Sequence, residues 1–160
     1  MRIRAPAMTS VLRAMYYFSL ILWAALLSQS ASAALGGDAA SLQADQAEMN
    51  AGQTITAAAM YQVYELQTTT GMVVREYLST AGVVFAVAWQ GPMLPNLRQL
   101  LGGYFAQYAV AAQAQHGSHG HLVIRRDDLV VESSGRMRAF FGRAYLPQSV
   151  PQGVAVSEIR

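Results

Sequence analysis

Met72–Pro95 reads MVVREYLSTAGVVFAVAWQGPMLP, and this stretch decides the fold. It holds two β-type runs, Met72–Leu78 and Val83–Trp89, joined by Ser79-Thr80-Ala81-Gly82. Val, Phe, Tyr and Trp suit a pleated, half-buried surface, and the Gly-ended connector suits a hairpin. In the second run Val83, Phe85, Val87 and Trp89 fall on one parity and Val84, Ala86 and Ala88 on the other. Both parities are apolar, so a central strand covered on both sides is expected. Arg75 and Glu76 are neighbours on the first run and must point to opposite faces. At least one of them then needs a partner, because an unpaired buried charge is very unfavourable. A structural ion pair and a catalytic carboxylate both fit, and the ion pair is the commoner case.

Gly91-Pro92 and Pro95 end the second strand, and Asn96 is a good N-cap for a helix. Leu97, Leu100, Leu101, Tyr104, Phe105 and Tyr108 lie at i, i+3, i+4, i+7, i+8 and i+11, which predicts one long amphipathic helix. Gly102-Gly103 lowers its intrinsic helicity by ~1 kcal/mol per glycine. Between the prolines, Met93 and Leu94 either cap the core, as a buried strand exit favours, or project outward as a docking surface.

Upstream, Ala34–Met49 is rich in Ala and Gln, with Asp38 or Ser41 as N-cap, and predicts a short helix or a docked arm. Tyr61–Thr68 and Met72–Leu78 predict the first hairpin around Thr69-Thr70-Gly71. Downstream, short strands are expected at Leu122–Arg126, Leu129–Glu132, Met137–Phe141 and Ala144–Leu146, with turns at Asp127-Asp128 and Ser133-Ser134-Gly135. Pro147 and Pro151 end regular structure, leaving a C-terminal tail over residues 154–160. The fold class is α+β: an antiparallel meander packed by one long amphipathic helix, followed by further short strands.

The N-terminus carries Arg2, Arg4 and Arg13, the uncharged run Met15–Leu27, and then Ala31-Ser32-Ala33. These are the three regions of a secretory signal peptide in order, and the run is shorter than the ~20 residues of a membrane span. Residues 1–33 are expected as a signal peptide cut between Ala33 and Ala34, leaving a single domain over 34–153, periplasmic or secreted, with no stable membrane insertion after cleavage. The remaining 127 residues (160 minus 33) keep 8 Arg (11 minus 3) against 9 acids, a net charge of −1. No basic patch for nucleic acid survives. The chain has no cysteine, which excludes disulfides, thiol nucleophiles and Cys-ligated metals.

Three groups of residues carry candidate chemistry. His116, His119 and His121 form an H-x-x-H-x-H tract that could weakly hold Cu(II), Ni(II) or Zn(II), although its spacing matches no closed zinc pattern and a solvated glycine-rich loop is the commoner explanation. Glu65 and Glu76 would face each other across the first hairpin if its loop had two residues, mimicking a paired-carboxylate hydrolase. Arg136, Arg138 and Arg143, with Met93 and Leu94, are the candidate interaction surface. Ser118-His119 lacks a nucleophile elbow, and no H-E-x-x-H, G-x-G-x-x-G or phosphate loop is present.

The segments Ala34–Gly37, Val74–Tyr77, Val84–Pro92, Pro95–Gly102, Met137–Phe140 and Gly142–Tyr145 together resemble an uncharacterised family of exported bacterial proteins, known as a domain of unknown function. The resemblance spans nearly all of 34–153 and implies export and a single-domain layout, with no assigned activity or site. The expected role is a non-enzymatic binding or envelope-assembly accessory module, without cofactor, whose partner is an unknown envelope protein or ligand. A periplasmic metal-binding protein using the histidine tract, and a hydrolase using Glu65 and Glu76, are the alternatives.

Overall fold

The computed structural model describes residues 35–114 and 121–160. The expected signal peptide with Ala33 and Ala34, together with His116 and His119, falls outside the described residues. Within them, helix α1 (Ala39–Met49) is followed by strands β1 (Gly52–Ala57), β2 (Tyr61–Gln67), β3 (Val73–Ser79) and β4 (Val84–Gly91). Helices α2 (Leu97–Leu101) and α3 (Phe105–Ala114) come next, then β5 (His121–Arg125), β6 (Val130–Arg136) and β7 (Ala139–Tyr145). All pairs are antiparallel and form one seven-stranded sheet in the order β1-β2-β3-β4-β7-β6-β5. The expected second set of strands therefore joins the meander through the β4–β7 pair. The α+β class and a central, doubly covered β4 hold: residues 84–89 are all buried.

The two parities of β4 are not those of a regular strand. The β3–β4 register shifts between Tyr77 and Leu78, pairing Tyr77 with Ala86 but Leu78 with Val84. Phe85 is the extra residue of this β-bulge. Val84 consequently joins Val87 and Trp89 on one face, while Phe85 joins Ala86 and Ala88 on the other. Residues 35–37 lie across the bulge, where Gly36 N–H donates to Val84 O at 2.8 Å and Val84 N–H donates to Gly37 O at 2.9 Å.

One face, here called the helical face, packs Leu66, Val74, Val87, Trp89, Leu129 and Val131 against Leu42 of α1 and Leu97, Leu100 and Leu101 of α2. α1 is anchored by Asp38, whose Oδ1 accepts from the N–H groups of Ala40 and Ser41. The expected single long helix is divided. Gly102 takes φ +50° and ψ −121°, and a short 3₁₀ turn over Gly102–Tyr104 separates α2 from α3. Only a glycine adopts that backbone without strain. Tyr104, Phe105 and Tyr108 beyond the break are half-buried against the same core.

β6 and β7 are longer than their composition suggested. Gly135 is expected in a turn and Gly142 falls between two expected strands, yet both sit inside strands. A Cβ on Gly142 would lie 2.4 Å from Cζ2 of Trp89, and one on Gly135 would lie 2.5 Å from Cδ1 of Phe140. These glycines mark close approach by an aromatic ring. The actual turn is Met137-Arg138, with Arg138 at φ +67°.

Candidate functional site

The second, open face of the sheet carries Tyr61, Val63 and Glu65 from β2, Arg75 and Tyr77 from β3, Gln90 from β4, and Phe141, Arg143 and Tyr145 from β7. Residues 147–160, in which Pro147–Ser149 and Val156–Glu158 form 3₁₀ turns, run across this face. Residues 154–160, expected as a tail beyond regular structure, are docked. Ile159 is fully buried with Tyr77, Phe85, Ala86 and Ala88, and Val150, Val154 and Val156 pack around them. Tyr61, Tyr77 and Phe85 form an aromatic cluster with centroids 5.8–6.1 Å apart.

Side chains of the sheet hold the backbone of this segment. Arg143 Nη1 donates to Val156 O at 2.8 Å and to Ile159 O at 3.2 Å. Its Nε and Nη2 donate to Glu132 Oε2 at 2.9 and 2.7 Å, and Arg125 Nη2 donates to Glu132 Oε1 at 3.0 Å. The Arg143 contacts hold the Glu132 carboxyl below its usual pKa. Arg75 Nε donates to Glu65 Oε2 at 2.7 Å, and its Nη1 donates to Arg160 O at 3.0 Å. Tyr77 OH donates to Arg160 O at 3.0 Å and accepts from Arg160 N–H at 3.1 Å. Tyr61 OH donates to Glu158 Oε2 at 2.8 Å, a contact that raises the pKa of the tyrosine.

The docked segment splits the open face into two concavities that share Gln90 and Arg160. The first, about 420 Å³, is lined by Trp89, Gln90, His121, Ser134, Phe141 and Ile159 among others. The second, about 490 Å³, lies over Thr54, Tyr61, Glu65, Arg75 and Tyr77. The first has the make-up of a ligand pocket: aromatic and aliphatic walls with a few convergent polar groups. His121 and Ser134 are cross-strand partners at one end of it, and the charge of Arg143 is already matched by Glu132.

On the helical face, Glu76 and Asp45 form a buried carboxyl pair that sequence reasoning did not find. Glu76 is 0 % exposed and Asp45 3 %. Gln99 Nε2 donates to Asp45 Oδ1 at 2.7 Å. Asp45 Oδ2 and both oxygens of Glu76 have no hydrogen-bond partner. Burial, then the charge of Asp45, pushes the pKa of Glu76 up to about 9, so it keeps its proton at neutral pH. Burial also raises Asp45. A protonated Glu76 lets the two carboxyls lie between β3 and α1 without placing two charges in the core.

With this geometry in place, a family model described as a protein of unknown function (DUF2844) matches residues 31–159. The chain belongs to the DUF2844 family. No curated protein and no solved structure matches it.

The DUF2844 fold separates several residues that the sequence had grouped. Glu65 and Glu76 do not face each other. Glu65 pairs in register with Arg75, and Glu76 with Tyr64, which puts the two carboxyls on opposite faces of the sheet. The expected pairing of the Glu65 and Glu76 carboxyls is therefore not formed. Its premise was a two-residue loop, whereas the β2–β3 connection spans Thr68–Met72 and shifts the register by one. The expected ion pair is present instead, between Arg75 and Glu65.

Arg143 is committed to Glu132 and the docked segment, while Arg136 and Arg138 flank the exposed β6–β7 turn, so the three arginines do not form one patch. Met93 and Leu94 are 52 % and 46 % exposed, which corrects the expectation that they cap the core. Of the histidine tract, His121 is described, at the start of edge strand β5. Among the described residues no group of three or more His, Cys, Asp or Glu gathers to hold a metal. No helix among them is long and apolar enough to cross a membrane.

Proposed function

We propose that this DUF2844 chain is an exported, periplasmic binding module, an accessory to an envelope component with no catalytic role. Its binding site is the pocket between β4, β7, β6 and the docked C-terminal segment. The observation that carries this reading is the pocket itself: about 420 Å³, preformed, with Phe141 as its exposed apolar wall and Gln90, His121 and Ser134 at its rim. That volume and lining suit one small amphipathic ligand or one side-chain knob of a partner. The ordered Arg, apolar and Ala31-Ser32-Ala33 regions support export. The helical run from Leu97 to Ala114 serves as scaffold on the opposite face.

Affinity capture from periplasmic extract, with wild type beside Phe141→Glu, tests this. Phe141 is 56 % exposed at the pocket wall, so the variant should melt at the wild-type temperature while losing the retained ligand or partner. Equal recovery by both proteins at equal stability would overturn the pocket assignment.

A further inference from the structure

One end of the sheet gathers the Thr68–Met72 turn, the β4 exit Gly91–Pro95, and the β6–β7 turn Met137-Arg138. The register places them together: Gly91 pairs with Phe140 and Arg136 with Ala139, and Gly71, Pro92 and Arg138 line one shallow concavity. Its apolar side chains are unusually exposed. Met137 is 91 % exposed at a two-residue hairpin tip, and Met93 and Leu94 are 52 and 46 % exposed.

Two arginines, Arg136 and Arg138, flank the tip. No Asp or Glu occurs in 68–72, 91–96 or 136–139. The opposite end differs: its β5–β6 turn carries Asp127 and Asp128, and Met60 is its one large exposed hydrophobic among the described residues.

We infer that this end of the sheet is a peripheral membrane-docking surface that seats on an anionic lipid surface through Met93, Leu94 and Met137, with Arg136 and Arg138 on the phosphates. Three features select a lipid surface over a protein partner. The apolar groups stand on separate projecting tips, and none of Met93, Leu94 and Met137 lines the concavity between those tips. Met and Leu are flexible and fit a fluid acyl boundary. The arginines beside them bury their stems while the guanidinium reaches headgroup phosphate. The restriction imposed by Pro92 and Pro95, and the left-handed conformation of Arg138, hold the tips outward. Met93, Leu94, Arg136, Met137 and Arg138 do not line the pocket, and neither proposal depends on the other.

Vesicle flotation of the full chain, combined with hydrogen exchange, tests the docking surface. Vesicles of mixed phosphatidylglycerol and phosphatidylcholine should bind the protein, and phosphatidylcholine alone should bind it far less. Arg136→Gln and Arg138→Asn should each weaken binding about fivefold, as one lost cation near an anionic surface does. Asn is chosen because it tolerates the left-handed backbone. Met137→Asp should abolish binding at an unchanged melting temperature, and the amides of 93–94 and 136–139 should gain protection only with anionic vesicles.

Association driven by the apolar run Met15–Leu27 would leave those amides unprotected and all three variants unaffected, and would overturn the proposal. Protection that required periplasmic protein and ignored vesicles would overturn it as well. If Met137→Asp melts early, the two arginine variants at wild-type stability decide the matter.

Discussion

On the helical face, Leu42, Leu66, Leu100, Leu101 and Leu129 meet in a fully buried aliphatic layer, and the buried carboxyls that enter it among the described residues are Asp45 and Glu76. On the open face, residues 150–160 are held by Arg75, Tyr77 and Arg143 bonding to backbone carbonyls, with Ile159 as the buried anchor. The first closure is non-directional and scales with apolar area. The second is directional, and its strength sits in a few charge-assisted hydrogen bonds. The electrostatics also have opposite signs. Glu76 is raised by burial and Glu132 is lowered by Arg143. Rising pH between about 4.5 and 9 therefore weakens the helical face, and acid weakens the open one.

The comparison breaks most visibly at Leu100. Leu100→Ala empties a fully buried site and should destabilise the whole protein by ~2–5 kcal/mol, read as a single cooperative loss in a denaturant melt. A loss confined to α2, with the sheet intact, would show that the helices are not part of the cooperative unit. Arg143→Ala removes the bonds to Val156 O and Ile159 O and leaves Glu132 with Arg125 alone. It should destabilise by about 2 kcal/mol and, more tellingly, expose the amides of residues 150–160 to exchange while those of β3 and β4 stay protected. Uniform loss across the sheet would mean that the two closures are one.

The smallest effect at acid pH belongs to Glu76→Gln. The folded chain holds the Glu76 proton up to about pH 9, while the unfolded chain releases it near 4.5. Below the lower value both states are protonated. Between the two, the folded state binds more protons, so stability falls as pH rises, and above the upper value it levels off. Glu76→Gln should melt like wild type near the lower pH and flatten this decline, measured as melting temperature against pH. A decline of equal slope in the variant would place its origin elsewhere.

Much of the sheet was legible because its signals are local. β4 reads as central since both of its parities are apolar, and the first two hairpins follow from their turn residues. The errors come from shifts of a single residue. The bulge at Phe85 exchanges the faces of Val84 and Phe85, and the five-residue β2–β3 loop puts Arg75, not Glu76, opposite Glu65. Gly135 resembled a turn glycine, and Gly142 fell outside the expected strands, because the rings they accommodate, Phe140 and Trp89, are visible only once the strands are paired. Asp45 gave no signal at all. It sits on a helix whose apolar stripe is mostly alanine, and its partner Glu76 is defined by tertiary packing. The docked C-terminal segment was hidden by its two prolines, which exclude regular structure without excluding attachment.

The strand order has a kinetic consequence. β1–β4 and β5–β7 are each built from neighbouring hairpins, whose short loops close quickly. They meet along one line only, from Ala86 opposite Tyr145 to Gly91 opposite Phe140. That pairing joins residues far apart in the chain, so the entropy of bringing the two meanders together precedes any of its contacts. Folding should then proceed as two fast local assemblies and one slower encounter. Gly142 sits in the middle of that encounter, where the Trp89 indole must slide over bare backbone. A methyl group there would obstruct the step that turns two small sheets into one.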